Sequence, residues 1–310
     1  MRVAVFGSGA VGSYLGSRFA AARADVHLIA RGAHLEALRE RGLTLITPDG
    51  ITTTSVWATD NPASIGPVDV VLFCVKSYDT ETAAEQLPPL IGPETMVMSI
   101  QNGIDNEPKI AKRIGAPHVL GAATYILAAI ESPGVVRSGS ARLIIGELRE
   151  GPPSDRVRAI VDVARAGGID AVAVSDVRIA KWEKYVLLVA FSAVTGATQL
   201  TVGDIRGSEA SSSMLHAIMA EAWSVGRALG IPLASDLVER QHALVLAQND
   251  NEGTSLRHDL LAGHRMELEA LQGTLRRLGR ETGIATPWTD AAYAILQPWA
   301  IRNEPVPTTA

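Results

Sequence analysis

Cysteine is almost missing from this chain: Cys74 is the single one in 310 residues. No intramolecular disulfide can form, and a reducing cytoplasm is the expected setting. Cys74 lies inside the apolar run VVLFCVK, where a cysteine is ordinarily core and not a nucleophile. Long hydrophobic runs are missing too. The longest uncharged apolar stretch, near Tyr185–Val194, is about ten residues, roughly half of what a bilayer span needs. No transmembrane helix is expected. The opening MRVAVFGSG turns glycine-rich at once, with no apolar h-region and no small-residue cleavage site, so no signal peptide is expected either. An excess of positive charge is also absent: 28 Lys and Arg face 33 Asp and Glu, a net charge of −5. That balance argues against a nucleic-acid partner, and no polybasic run marks a membrane surface.

Several catalytic signatures are absent. There is no GxSxG elbow, no HExxH and no CxxC, and the seven histidines are scattered. His258 and His264 are six apart and fall on different helix faces. Glu267 and Glu269, two apart on a helix, diverge, so one at most faces a given site.

What remains is a chain long enough for two domains. RVAVF, DVHLIA, DVVLFCV and TMVMSI are short, β-branched runs bounded by turn residues. A helix-patterned segment, about Val11–Arg23, separates the first two. Strands alternating with helices predict a mostly parallel sheet of βαβ units. LTLIT and ITTTSVW, separated by PDG, predict an inserted hairpin. GAATYILAAI, GVVRSG and ARLIIGE predict further strand to about residue 147, and GPPSD then punctuates the chain. Asp155 or Ser154 can cap a helix running to about Ala166, and DAVAVS can add a last strand. From Val177 the pattern is helical over 177–196, 208–229, 235–249, 254–282 and 287–302. The expected fold class is an α/β Rossmann-type N-terminal domain, residues 1–175, followed by an all-α C-terminal domain, residues 176–310.

GSGAVG at residues 7–12 follows a strand and opens a helix. Gly7 permits the tight turn, Gly9 lets a pyrophosphate approach the backbone, and Gly12 lets the helix pack against the strand. Gly7, Ser8, Gly9, Ala10, Val11 and Gly12 are therefore the expected dinucleotide loop, with phosphates at the helix N-terminus. The second strand ends at Arg31, where an NAD-preferring site usually carries Asp or Glu. A guanidinium suits a 2′-phosphate, so NADP(H) is the expected cofactor. Lys76 and Asn102 follow two further strands. Four strand ends thus present glycine or polar groups at the edge where ligands of doubly wound sheets lie.

The sequence resembles the ketopantoate reductase family (2-dehydropantoate 2-reductases) along essentially its whole length. The markers are GSGAVG, VKS at 75–77, QNG at 101–103, GVV at 134–136, WEKYVLLVAFSAVTG at 182–196, TSLRHDLLAGHRMELEALQG at 254–273 and GIATPWTDAAYAI at 283–295. The resemblance implies reduction of a 2-oxo acid ketone with NADPH, by default 2-dehydropantoate to pantoate for coenzyme A synthesis. It implies that Lys184 gives a proton to the ketone oxygen, and that Glu267 helps hold this lysine and the nicotinamide end. It also implies that Ser255 binds the substrate carboxylate, and that Lys76 and Asn102 contact cofactor and substrate. The chemistry is consistent, because ketone reduction needs a donor where negative charge develops.

Spacing on a helix puts Lys184, Leu188 and Ser192 on one stripe, while Lys181 is expected in solvent. Ser255 and Glu267, twelve residues apart on the expected 254–282 helix, would lie about three turns apart on one face. Relatives with pantoate chemistry carry asparagines, which contact substrate, at the positions of Leu188 and Ser192; a third expected near Val202 is also missing. A different, more apolar 2-oxo acid is therefore an alternative substrate. A non-catalytic NADP(H)-sensing regulator is a second alternative, which Lys184 and Glu267 disfavour, since a sensor needs neither. A related hydroxyacid or opine-type dehydrogenase is a third. A homodimer formed through the helical domain is plausible.

Overall fold

The computed structural model describes residues 1–304. They fall into two compact units: Met1–Gln101 with Asp105–Arg178, and Asn102–Ile104 with the chain from Ile179 onward.

The first unit is built on a ten-stranded sheet. Its opening elements are β1 (Arg2–Phe6), α1 (Ala10–Ala21), β2 (Asp25–Ile29), α2 (Gly32–Arg41), β3 (Leu43–Thr47), β4 (Gly50–Thr54) and β5 (Trp57–Thr59). There follow β6 (Val70–Phe73), α3 (Thr80–Ala84), β7 (Met96–Ser99), α4 (Asn106–Ile114), β8 (Val119–Ser132), β9 (Val135–Gly146), α5 (Asp155–Ala166) and β10 (Asp170–Ala173). β1 lies between β2 and β6, parallel to both, and β7 continues the parallel run beyond β6. β6 is apolar throughout and β1 is apolar after Arg2, because both faces of these central strands are covered. Val3, Val5, Leu28 and Leu72 pack with Leu15 and Phe19 of α1 on one face. Ala4, Phe6, Val71 and Phe73 pack with Leu87, Leu90 and Ile110 on the other.

β8 is long enough to serve two neighbours. Its first residues pair in parallel with β7, and the rest forms an antiparallel hairpin with β9. β3 and β10 each lie parallel to β9. Ser154 caps α5, its hydroxyl accepting from the Val157 N–H at 3.4 Å.

One expectation needs correcting. ITTTSVW is two strands, not one: β4 pairs with β3, whereas β5 pairs with β2. These two strands form opposite edges of the sheet, yet only Ser55 and Val56 separate them. Three Cα steps reach at most about 11 Å, so the sheet curls until its edges nearly meet.

The second unit is helical: α6 (Val177–Thr198) leads into α7 (Val202–Arg206), α8 (Glu209–Ala228), α9 (Leu237–Leu246), α10 (Ser255–Leu261), α11 (Thr274–Thr282) and α12 (Pro287–Arg302). Val186, Val189 and Val194 of α6 share a core with Leu215, Met219 and Val225 of α8 and Leu275 of α11. α7 is an addition to the expected pattern, held by a capping box between Thr201 and Asp204.

The continuous 254–282 helix is a second correction. α10 stops at Leu261, and Gly263 takes φ +68°. The Gly263 N–H reaches the Leu260 carbonyl and the His264 N–H reaches that of Asp259. This pair of bonds is a Schellman stop, which glycine in the left-handed region makes cheap. Helix resumes as a π segment, Glu269–Gly273, running into α11. Ser255 and Glu267 therefore do not share a helix face.

Candidate active site

The glycine loop of the first unit has the form a dinucleotide needs. Gly7 has φ +93°, and a side chain there would meet Val75 at 2.8 Å. At Gly12 a Cβ would lie 2.4 Å from the Gly7 carbonyl, so only glycine lets α1 start this close to β1. Gly9 is different: a Cβ there would meet nothing within 4 Å, leaving open space over the backbone. Ala10, Val11 and Gly12 form the first turn of α1, where N–H groups have no carbonyl one turn earlier to receive them. No side chain caps this end and no acidic residue lies in its first turn, so its positive dipole end is not neutralised. Ser8 is buried, its hydroxyl turned to the Val5 carbonyl at 3.3 Å. These residues fit a pyrophosphate.

Arg31 follows β2 as the exposed N-cap residue of α2. Lys76 is exposed just beyond β6, in extended backbone that leads into the turn Ser77–Asp79. Burial pushes the Cys74 thiol up, which rules it out as a thiolate at neutral pH.

The second unit gathers a cluster around Lys184. The Lys184 Nζ donates to Asn102 Oδ1 at 2.9 Å, and Asn102 Nδ2 donates to Glu267 Oε2 at 3.4 Å. An ammonium can only donate and a carboxylate can only accept, so its two neighbours fix the orientation of the Asn102 amide. Lys184 is lowered to about 8, first by burial, then by the charge of Lys181, with Glu267 opposing both. Lys181 is not in solvent, as the sequence suggested; it is 7% exposed. Three residues before Lys184 on α6, it lies one turn away on the same side. The i, i+3 spacing was visible in the sequence, but the burial was not.

Glu267 is held opposite α6 by bonds further along that helix. The Tyr185 hydroxyl donates to the Leu271 carbonyl at 2.7 Å. Gln272 Nε2 reaches the Val189 carbonyl and Ser192 Oγ, both at 2.9 Å. The π turn, with its Gly273 N–H on the Leu268 carbonyl, brings Gln272 back to the side of Glu267, five residues earlier. Glu269 turns the other way and accepts from the Tyr293 hydroxyl at 2.5 Å. Gln272 was not singled out from the sequence, because its partner lies eighty residues away.

The remaining expected residues are placed as follows. Leu188 is partly exposed, one turn beyond Lys184. Ser192 is fully buried, donating to the Leu188 carbonyl at 2.6 Å and accepting from Gln272. Its hydroxyl therefore holds helix to π turn. Ser255 is exposed at the first position of α10. Its neighbour Thr254 bonds Thr195 at 2.9 Å, and Thr195 is about 16 Å along α6 from Lys184. Asn102, Lys184 and Glu267 are thus brought together, and Ser255 stands apart from their hydrogen bonds.

Residues 3–150 match the family model described as Ketopantoate reductase PanE/ApbA, and residues 176–300 match its C-terminal counterpart. The 2-dehydropantoate 2-reductase of Halobacterium salinarum is 34% identical over 93% of this chain and 95% of its own. That of Mesorhizobium japonicum is 29% identical over 98% of this chain and 99% of its own. The crystal structure of a PanE/ApbA family ketopantoate reductase from Ralstonia eutropha superposes with a TM-score of 0.90 at 30% identity, covering 98% of this chain and all of that one. Two family models that together span most of the chain, over a Rossmann-type unit and an all-α unit, leave one assignment: this chain belongs to the ketopantoate reductase family, oxidoreductases acting on a CH–OH group.

Proposed function

We propose that the protein reduces a 2-oxo acid to the 2-hydroxy acid with NADPH, the default pair being 2-dehydropantoate and pantoate, which would feed coenzyme A synthesis. The observation that carries this reading is the Lys184–Asn102–Glu267 chain, with Lys184 lowered to about 8. A lysine so placed is mostly protonated at neutral pH yet able to release its proton to a forming alkoxide. The bound dihydronicotinamide supplies the hydride. Lys184 donates to the ketone oxygen, Asn102 aims the ammonium, and Glu267 orients Asn102 and offsets part of the desolvation of Lys184. The family resemblance gives the substrate carboxylate to Ser255, which stands apart from the hydrogen bonds around Lys184. Gly7 to Gly12 hold the pyrophosphate, Arg31 the 2′-phosphate, and Lys76 and Asn102 the nicotinamide side.

Leu188 and Ser192 favour a second substrate. One turn from Lys184 the helix offers an isobutyl group, and the next polar group, Ser192, is fully buried. This stripe suits an apolar side chain on the oxo acid better than a hydroxylated one, because a stranded substrate hydroxyl loses its water hydrogen bonds. The test is kcat/KM, with NADPH, for 2-dehydropantoate against branched and aromatic 2-oxo acids. A preference for 2-dehydropantoate supports the default, and a preference for an apolar acid supports the second reading. No oxidation of NADPH with any of them overturns both.

A further inference from the structure

We propose that His34 is a positioning residue for the dinucleotide loop, tying it through a directed hydrogen-bond chain to the turn between β8 and β9. This inference rests on the reading of Gly7 to Gly12 as the cofactor loop. The Gly134 N–H, in that turn, donates to His34 Nδ1 at 3.1 Å. A backbone N–H can only donate, so Nδ1 is an acceptor and the ring proton sits on Nε2. Nε2 lies 3.2 Å from Ser13 Oγ, which therefore accepts from it. Ser13 Oγ in turn donates to the Ser8 carbonyl at 3.0 Å. Each group in the chain has one role, and only the neutral imidazole completes it. Ser8 lies between the two glycines whose backbone would face the pyrophosphate, and Ser13 lies in the first turns of the helix behind it. The chain thus joins α1, α2 and a hairpin turn a hundred residues away at the point where the loop must keep its shape.

The charged groups on the elements packed about His34 are Glu36, Arg39, Glu40 and Arg41 on α2 with Arg31 at its N-cap, Arg18 on α1, and Glu131, Arg137 and Arg142 on the β8–β9 hairpin. Arg41 also donates to the Pro133 carbonyl at 3.4 Å, beside Gly134. Burial lowers the His34 pKa from 6.5, so the neutral form is the resting one at neutral pH. Protonation puts a second N–H on the ring, facing the Gly134 N–H, and breaks the chain. The sign follows: the loop keeps its shape above about pH 6.5 and loses it as pH falls further.

The experiment measures NADPH and NADH dissociation constants directly by fluorescence, from pH 8 to 5.5, for the wild type, His34→Gln, His34→Ala and Ser13→Ala. Because the 2′-phosphate itself titrates near pH 6, the quantity read is the ratio of variant to wild type at each pH. His34→Ala and Ser13→Ala are expected to bind both cofactors about two- to tenfold more weakly at pH 8. His34→Gln keeps a donor toward Ser13 without an ionisable group, so it should bind more tightly than His34→Ala at pH 8. It should also lose less affinity than the wild type on acidification. Ser13→Ala, a small change, carries the test if His34→Ala does not fold. A His34→Gln to wild-type ratio that stays constant across the pH range, or a Ser13→Ala protein that binds as the wild type does, overturns the proposal. A wild type that binds neither cofactor overturns the loop reading itself.

Discussion

The glycine loop of the sheet unit and the lysine cluster of the helical unit are built by opposite means. The loop works by what its residues lack. Side chains at Gly7 and Gly12 would strike Val75 and the Gly7 carbonyl, so backbone and a helix end are left bare. The cluster works by side chains that burial has made costly, a lysine lowered to about 8 beside an amide and a carboxylate. The first site is contiguous in the chain and the second is assembled from residues 102, 184 and 267. A backbone turn can be written locally because backbone shape is local, whereas a lysine lowered by burial needs neighbours from elsewhere.

Breaking each half separately tests that contrast. Lys184→Ala should lower kcat for ketone reduction by about 10²–10⁴-fold, the usual worth of a general acid, with NADPH affinity nearly unchanged; retained turnover would remove Lys184 from the proton-donor role. Arg31→Ala should raise the KM for NADPH by roughly ten- to hundredfold, as loss of a charge-assisted contact does, and leave that for NADH nearly unchanged. Equal effects on both would detach Arg31 from the 2′-phosphate. Gly12→Ala should cost about 1–3 kcal/mol through overpacking against Gly7, seen as a lower Tm with weaker binding of both cofactors. The smallest effect concerns the pH profile. Reduction should proceed below about pH 8 and decline above it as Lys184 loses its proton. Lys181→Met removes a charge that lowers Lys184, so the declining limb should move to higher pH; Glu267→Gln should move it lower. A limb that stays put in both variants would mean that another group sets it.

Much of the fold was legible. Apolar runs such as VVLFCV announced strands of a mostly parallel sheet, and of the two expected caps, Asp155 and Ser154, it is Ser154 that caps α5. The stop at Gly263 was legible and missed, because the apolar periodicity on either side of it suggested a single helix. With that helix went the argument that Ser255 and Glu267 share a face. The separation of β4 from β5 was not legible, since nothing in TTTSVW says that its two halves pair at opposite edges of a curled sheet.

The sequence by itself determined the fold class, the glycine loop and the helical stripe that carries Lys184. Each rests on spacings of a few residues, where local geometry leaves few alternatives. Only the tertiary structure decided that Lys181 is buried beside Lys184, that Ser192 is bound to Gln272, and that His34 joins Gly134 to the glycine loop. The last two pairings span eighty and a hundred residues, and the burial of Lys181 depends on what packs over its helix. Burial and hydrogen-bond partners across such distances are properties of the packed chain, not of any segment in it.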